Sequence, residues 1–258
     1  MKETITLATF NFRVPCDQPP YDWASRKDRV LWTLKEDHFD IFGVQEAVKM
    51  QNDDILANTT FAKIGGGRDD FKDAGEHSCI FYDTSRFELL DGGTFGLSEQ
   101  PDVPGFKSWE TACPRIASWG KFLDKNTGKK LCYYNTHLDH VSELARMEGI
   151  KMVVEHAAKN CEGLPLILSG DFNAYPDSET YKTAASLLRD SRIVTETAPQ
   201  GPVCTFHNWG KLLGTDYPQI DYIFVSDAVE VLSYITDDRK PLGDFASDHF
   251  PVVTELKI

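Results

Sequence analysis

Long hydrophobic runs, an excess of positive charge and paired-cysteine motifs are all missing from this sequence, and each absence removes a class of protein. The longest apolar stretches fall far short of the roughly 20 residues that span a bilayer, so stable membrane insertion is not expected. Met1 is followed at once by Lys2-Glu3-Thr4 instead of the apolar core of a secretory leader. As numbered, the chain is expected in the cytoplasm; a secreted or periplasmic setting would require a leader already removed. Lys and Arg total 27 against 40 Asp and Glu, and the net charge of -13 argues against a protein that holds nucleic acid by non-specific phosphate attraction. It leaves room for one that reaches phosphates through a bound cation. None of the cysteines (Cys16, Cys79, Cys113, Cys132, Cys161, Cys204) stands in a Cys-x-x-Cys pair, and several lie in apolar runs. They are expected to be mainly free thiols acting as small core residues, with no zinc site and no disulfide framework. Gly65-Gly66-Gly67-Arg68 lacks the Gly-Lys-Ser/Thr of a phosphate-cradling loop and reads as a flexible connection. No Pro/Gly/Ser-rich linker, low-complexity tract or fixed-period repeat divides the chain, so residues 1-258 are expected to form a single domain.

What is present is a series of short apolar runs with strand character: Ile5 to Phe10, Ile41 to Val44, Cys79 to Tyr82, Trp119 to Leu123, Leu131 to Asn135, Leu164 to Leu168, Tyr222 to Val225 and Val252 to Leu256. Helical spacing separates some of them. Trp23, Val30, Leu31 and Leu34 mark one amphipathic helix after Asp22, and Leu144, Met147, Ile150, Val154 and Ala157 mark a second after Ser142. A third is expected to begin at Asp177 or Ser178 and to bury Tyr181, Ala184, Leu187 and Leu188. Strands mixed with intermittent helices imply a layered α/β architecture.

Five of the runs end in acids, amides or imidazoles. Leu164 to Leu168 leads into Ser169-Gly170-Asp171-Phe172-Asn173, where a carboxylate and a carboxamide are expected in the loop beyond a rigid strand. Gly-Asp-Phe-Asn alone is also an ordinary turn sequence. Ile41 to Val44 ends in Gln45-Glu46, Leu131 to Tyr134 in Asn135-Thr136-His137-Leu138-Asp139, and Ile5 to Phe10 in Asn11, while Ser247-Asp248-His249 precedes the last run. Five polar strand ends together read as an assembled site.

The ordered set Asn11, Gln45-Glu46, Asn135-Thr136-His137, Gly170-Asp171-Phe172-Asn173, Asp221 within Gln219-Ile220-Asp221-Tyr222-Ile223, and Ser247-Asp248-His249 resembles the endonuclease/exonuclease/phosphatase superfamily, from residue 5 almost to the end. Its branches include pancreatic-type deoxyribonucleases, abasic-site endonucleases, neutral sphingomyelinases, inositol-polyphosphate phosphatases and RNA deadenylases of the carbon-catabolite-repressor type. The resemblance implies a four-layer α/β/β/α sandwich, with two mixed β-sheets packed face to face and one active site at the sheet edge. It implies attack by water on a phosphorus ester. No Gly-x-Ser-x-Gly elbow and no credible serine nucleophile occur, which favours metal-activated water over a covalent intermediate.

The resemblance also implies roles. Glu46 would be the main Mg²⁺ ligand, with Asn11 and Asp248 completing or flanking the site and Mn²⁺ a plausible substitute. His249 would act as general base or transition-state hydrogen-bond donor, its ring oriented by Asp221. Asp171 could equally orient or deprotonate the attacking water, and Asn173 would hold the phosphate or the Asp171 carboxylate. His137 resembles a second histidine of the nuclease branch that contacts phosphate, with Glu76 in the place of its supporting carboxylate. Arg115 fits a phosphate-binding fork or a surface salt bridge. Asp139 and His140 are further pocket candidates. Thr205-Phe206-His207-Asn208-Trp209 reads either as an aromatic platform or as a loop packing its rings into the core. The spacing looks most similar to bacterial relatives of the deadenylase branch, which implies a nuclease or phosphodiesterase, with 3'-to-5' exonuclease action on RNA as one form. Two alternatives stay open: hydrolysis of a small-molecule or lipid-derived phosphoester, and a non-catalytic binding module. The expected partner is thus RNA, DNA or a small phosphoester.

Overall fold

Each of the eight apolar runs forms a strand. A computed structural model describes residues 3–161 and 163–258. Its strands are β1 (Ile5–Asn11), β2 (Ile41–Gln45), β3 (Phe61–Ile64), β4 (Ile80–Asp83), β5 (Phe87–Gly96), β6 (Ile116–Asp124), β7 (Lys130–His137), β8 (Leu166–Asp171), β9 (Arg189–Asp190), β10 (Asp221–Val225), β11 (Glu230–Thr236) and β12 (Val252–Lys257). The helices are α1 (Trp23–Glu36), α2 (Lys49–Asn58), α3 (Glu143–Asn160), α4 (Glu179–Ala185) and the single turn α5 (Ser191–Val194). Ser142 and Ser178 cap α3 and α4 by accepting from the amides of Ala145 and Tyr181.

The strands build two mixed six-stranded sheets, ordered β11-β12-β1-β2-β4-β3 and β5-β6-β7-β8-β10-β9. Alternation along each strand sorts side chains to opposite faces. Leu7 and Ile167 point between the sheets with Tyr133, Ile223 and Val252. Ala8 and Phe10 turn outward onto Trp23, Val30 and Leu34 of α1, and Leu168 onto Ile150, Val153 and Ala157 of α3. Three apolar layers between four structural layers make the expected α/β/β/α sandwich.

Polar groups also cross the inter-sheet layer. Asn135 is fully buried; its Nδ2 donates to the carbonyls of Val44 at 2.8 Å and Cys79 at 3.0 Å. Its Oδ1 accepts from Gln45 Nε2 at 2.7 Å and Ser169 Oγ at 3.1 Å. Tyr133 donates to the Ala8 carbonyl at 3.1 Å. Gly43 is required under this latch, since any Cβ there would collide with the Asn135 carboxamide.

Four expectations are corrected. Cys132 on β7 and Cys161 just past α3 form a disulfide, because the return of α3 along the sheet brings two residues distant in sequence to 6.0 Å between Cα atoms. Cys16, Cys79, Cys113 and Cys204 are free thiols. Leu144 and Leu187, placed on buried faces by their spacing, are exposed. Asp171 belongs to β8 itself, so only Asn173 lies in the loop. The Gly65–Gly67 segment is bound into a turn, with the amides of Gly67 and Arg68 donating to Lys72 and Glu76. Among the described residues no helix is long and apolar enough to cross a membrane. The leader reading rested partly on Met1 and Lys2, which lie outside the described residues.

Candidate active site

Strand register assembles the site. Asn11 pairs with Gln45 across the parallel β1–β2 ladder. His137 pairs with Asp171 across the parallel β7–β8 ladder, and Asp171 with Asp221 across β8–β10. The polar ends of two sheets therefore meet at one edge. Gly170 lets β8 lie against β7 there, because a Cβ would strike the Thr136 carbonyl.

Ser247-Asp248-His249 joins this edge through a hydrogen bond from Ser247 Oγ to the Asn11 carbonyl at 2.6 Å. His249 is buried, and its Nδ1 donates to Asp221 Oδ2 at 2.9 Å. Its Nε2 lies 3.8 Å from Asp171 Oδ2. Burial alone would lower the imidazole pKa, but the charge and hydrogen bond of Asp221, with Asp171 and Asp248, raise it to about 10. Asp171 moves the other way from a normal carboxylate, up to about 7, through burial first and the Asp221 charge second. It accepts from Asn11 Nδ2 at 3.0 Å and from the Asn173 amide at 2.9 Å.

Asn173, in the left-handed region at φ 47°, turns its Nδ2 to His137 Nε2 at 3.0 Å and to the Leu138 carbonyl at 3.1 Å. The amide is the donor to both, so His137 accepts at Nε2 and carries its proton on Nδ1. That Nδ1 is buried without a partner among the described residues. Burial, then Arg115 and His249, hold this ring well below the ordinary imidazole range, so it is neutral.

Glu46 also adopts a left-handed backbone, φ 60°. Its two oxygens accept from Asn11 Nδ2 and the Val14 amide, each at 3.1 Å. Arg13 lies 3.8 Å from Glu46 and 3.7 Å from Asp248. Beneath them Arg26 is fully buried, and its guanidinium donates to the carbonyls of Phe12, Arg13 and Ala246. One cation thus ties the loop after Asn11 to the loop before Asp248. Glu46, Asp248, Asn11 and Asp171 offer only oxygen donors, a set suited to a hard divalent cation. Burial raises Asp248 as well as Asp171. Asp171, Asp221 and His249 also bring ligand atoms within 4.8 Å of one another, but the Asp221–His249 hydrogen bond occupies two of those atoms.

Above these groups a cavity of about 340 Å³ is lined by Glu46, His137, Asp171, Asn173, Asp248 and His249, together with the guanidinium groups of Arg13, Arg68 and Arg115. Two expected contacts differ. Glu76 lines the cavity, but its carboxylate pairs with Arg68 at 2.8 Å and not with His137. Asp139 is buried outside it, accepting from Thr111 Oγ1 and the amides of Ala112, Val141 and Ser142. Arg115 donates to His140 Nδ1 at 2.9 Å and lies 3.5 Å from Asp139. The 205–209 segment divides: Phe206 lines the cavity, His207 packs between Phe245 and Phe250, and Trp209 stacks on Tyr21. Sequence reasoning missed Arg13 and Arg68. Their signals were slight, an arginine two residues past Asn11 and another closing a glycine triplet.

Deoxyribonuclease-like architecture with oxygen donors and an Asp–His pair at the sheet edge defines a phosphoester hydrolase class. The chain belongs to the Endonuclease/Exonuclease/phosphatase family, which it matches over residues 8–249. An endonuclease/exonuclease/phosphatase structure from Bacteroides vulgatus is 36% identical with a TM-score of 0.94, covering 100% of both chains. The mannosyl-6-phosphatase of Bacteroides thetaiotaomicron is 35% identical with a TM-score of 0.89, over 98% of this chain and 100% of that one. Nocturnin of Xenopus laevis is 26% identical over 70% of this chain; the chain spans 49% of that relative's length.

Proposed function

We propose that this protein hydrolyses a phosphomonoester of a small, hydroxyl-rich molecule with the help of Mg²⁺ or Mn²⁺. The carrying observation is the cavity of about 340 Å³, in whose lining Arg13, Arg68 and Arg115 stand among the acids Glu46, Glu76, Asp171 and Asp248. A terminal phosphate carries up to two charges against one on a diester, and forked guanidinium donors match its oxygens. The full-length similarity to a mannosyl-6-phosphatase supports the same reading.

A bound divalent cation would neutralise charge on the phosphoryl oxygens and acidify a water; Glu46, Asn11 and Asp248 would hold it. His249, protonated near neutrality, donates from Nε2 to oxygen charge that grows in the transition state, and Asp221 keeps its ring in place. Asp171, raised to about 7, is matched to accept a proton from the attacking water near neutral pH. His137, held by Asn173 at 3.0 Å, forms part of the cavity wall against which the phosphate would sit.

Nuclease action is the second reading, favoured by the similarity to nocturnin. Against it stands the net charge of -13, which repels a polyanion beyond the cavity. The test compares release of inorganic phosphate from hexose 6-phosphates and p-nitrophenyl phosphate with cleavage of bis(p-nitrophenyl) phosphate and 3'-tailed RNA. Each assay is run with Mg²⁺, Mn²⁺ or EDTA. Metal-dependent monoester turnover, reduced by about 10²- to 10⁴-fold in His249→Ala, is expected. Faster release of nucleotides from RNA than of phosphate from every monoester would replace this reading with the nuclease.

A further inference from the structure

We propose that a second groove beside the catalytic cavity is the leaving-group subsite, and that it takes an uncharged polyol ring of pyranose size. The proposal rests on the monoester reading above and adds where the remainder of the substrate lies. His140, Asn173, Tyr217 and Ile220 line both the cavity and a groove of about 500 Å³, so the two adjoin at the residue that orients His137.

A run of aromatic rings leads from His249 in the cavity to the groove, where Tyr217 and Tyr175 form part of the lining. Phe206 lies 4.8 Å from the His249 ring, Tyr217 lies 5.8 Å from Phe206, and Tyr175 lies 6.0 Å from Tyr217, the last two edge to face. Tyr175 is 44% exposed, an aromatic surface left open beside a polar cleft. Ring faces of this kind pack on the C–H face of a sugar, and the Tyr217 and Tyr175 side chains are tied to each other by a hydrogen bond.

Charge on the lining selects the ligand. Glu143, at the start of α3, and Asp177, before α4, line the groove with Arg146. Arg146 Nη1 already donates to the Asp139 carbonyl at 2.8 Å. Two carboxylates against one tethered guanidinium repel a leaving group that carries its own phosphate, and they accept hydrogen bonds from vicinal hydroxyls. Selectivity against a second anion follows from placing like charges together. A nucleic acid would have to lay its next phosphate along these same acids.

The experiment measures kcat/KM by phosphate release for glucose 6-phosphate, glucose 1,6-bisphosphate and methyl phosphate, the last having no ring to enter the groove. In the wild type, glucose 6-phosphate is expected to exceed the bisphosphate by at least about tenfold. The doubly reversed Glu143→Lys/Asp177→Lys protein narrows or inverts that ratio. Tyr217→Ala lowers the ratio of glucose 6-phosphate to methyl phosphate by roughly tenfold, as loss of one stacked ring predicts, and Tyr217→Phe restores it. Circular dichroism on each variant excludes unfolding as the cause. Monoester turnover with both ratios unmoved overturns the subsite and leaves the phosphatase reading standing. Absence of monoester turnover, with metal-dependent cleavage of a diester, overturns that reading and the subsite with it.

Discussion

His249 and Asp221 show how one contact sets the chemistry of a residue. A buried imidazole alone would lose its proton, yet the 2.9 Å hydrogen bond to Asp221 holds it charged and fixes Nε2 toward the cavity. Asp221→Asn preserves volume and removes the charge, so the ring loses both its orientation and its proton. A fall in kcat of about 10²- to 10⁴-fold is expected for metal-dependent phosphate release, with the far-ultraviolet circular dichroism of the wild type retained. A variant within threefold of wild type would mean that His249 is oriented by something other than Asp221. The same residue scale limits what the sequence revealed. Asp221, Asp171 and His249 were legible because they terminate or flank apolar strands. Arg13 and Arg68 were not, because their reach depends on loop backbone, a left-handed φ of 57° at Arg13 and the hydrogen-bonded turn around Gly67. Glu76 was placed in the right cavity on the wrong partner for a related reason: Arg68, unforeseen, takes its carboxylate.

At the scale of elements, strands buried on both faces were the readable ones. β2 and β10 are buried throughout, so their apolar runs carry the whole signal. β3 is half-buried along its length, and β5 and β11 each contain a register shift, between Leu89 and Asp91 and between Val231 and Ser233. A bulge throws alternation out of phase, and period-two reading fails there. α2 buries Gln51, Asn52 and Ile55, two of them polar, and shows no apolar stripe. Asn135, read as a polar strand end and a member of a family motif, is the polar tie between the sheets. Asn135→Leu leaves the Val44 and Cys79 carbonyls and the Gln45 amide buried without this partner. The Cys79 carbonyl keeps the Val44 amide and Gln45 Nε2 keeps Thr9 Oγ1, so at about 1–3 kcal/mol for a stranded group the urea midpoint is expected to fall by an amount equal to about 2–3 kcal/mol. Urea titration followed by tryptophan fluorescence measures it, and a loss below about 1 kcal/mol would show that water or repacking satisfies the layer.

For the whole molecule the governing quantity is the charge of -13, and the fold gathers part of it outside the cavity that Glu46 and His249 line. Asp37, at the end of α1, faces Asp237 and Arg239 beyond β11, and one Asp37 oxygen is buried without a hydrogen bond. Arg239 pairs with Asp37 and, at 2.7 Å, with Asp237. Burial first, then Asp237, outweigh the guanidinium and raise Asp37 to about 6. The sign follows from proton counting. Unfolded, this carboxyl titrates near its ordinary value of about 3.9, so between that pH and 6 the folded state binds more protons than the unfolded state. Stability therefore falls as pH rises through this window and is not regained above it. The rise is equivalent to at most ~3 kcal/mol, and less where solvent screens the partly exposed pair. Asp37→Asn removes the group that titrates. Urea unfolding of wild type and variant from pH 4 to pH 7 is expected to give a stability difference that moves in the variant's favour by ~1–3 kcal/mol across the window. A difference constant with pH would mean that Arg239 fully offsets the burial of Asp37, and that the destabilising part of the net charge lies elsewhere on the molecule.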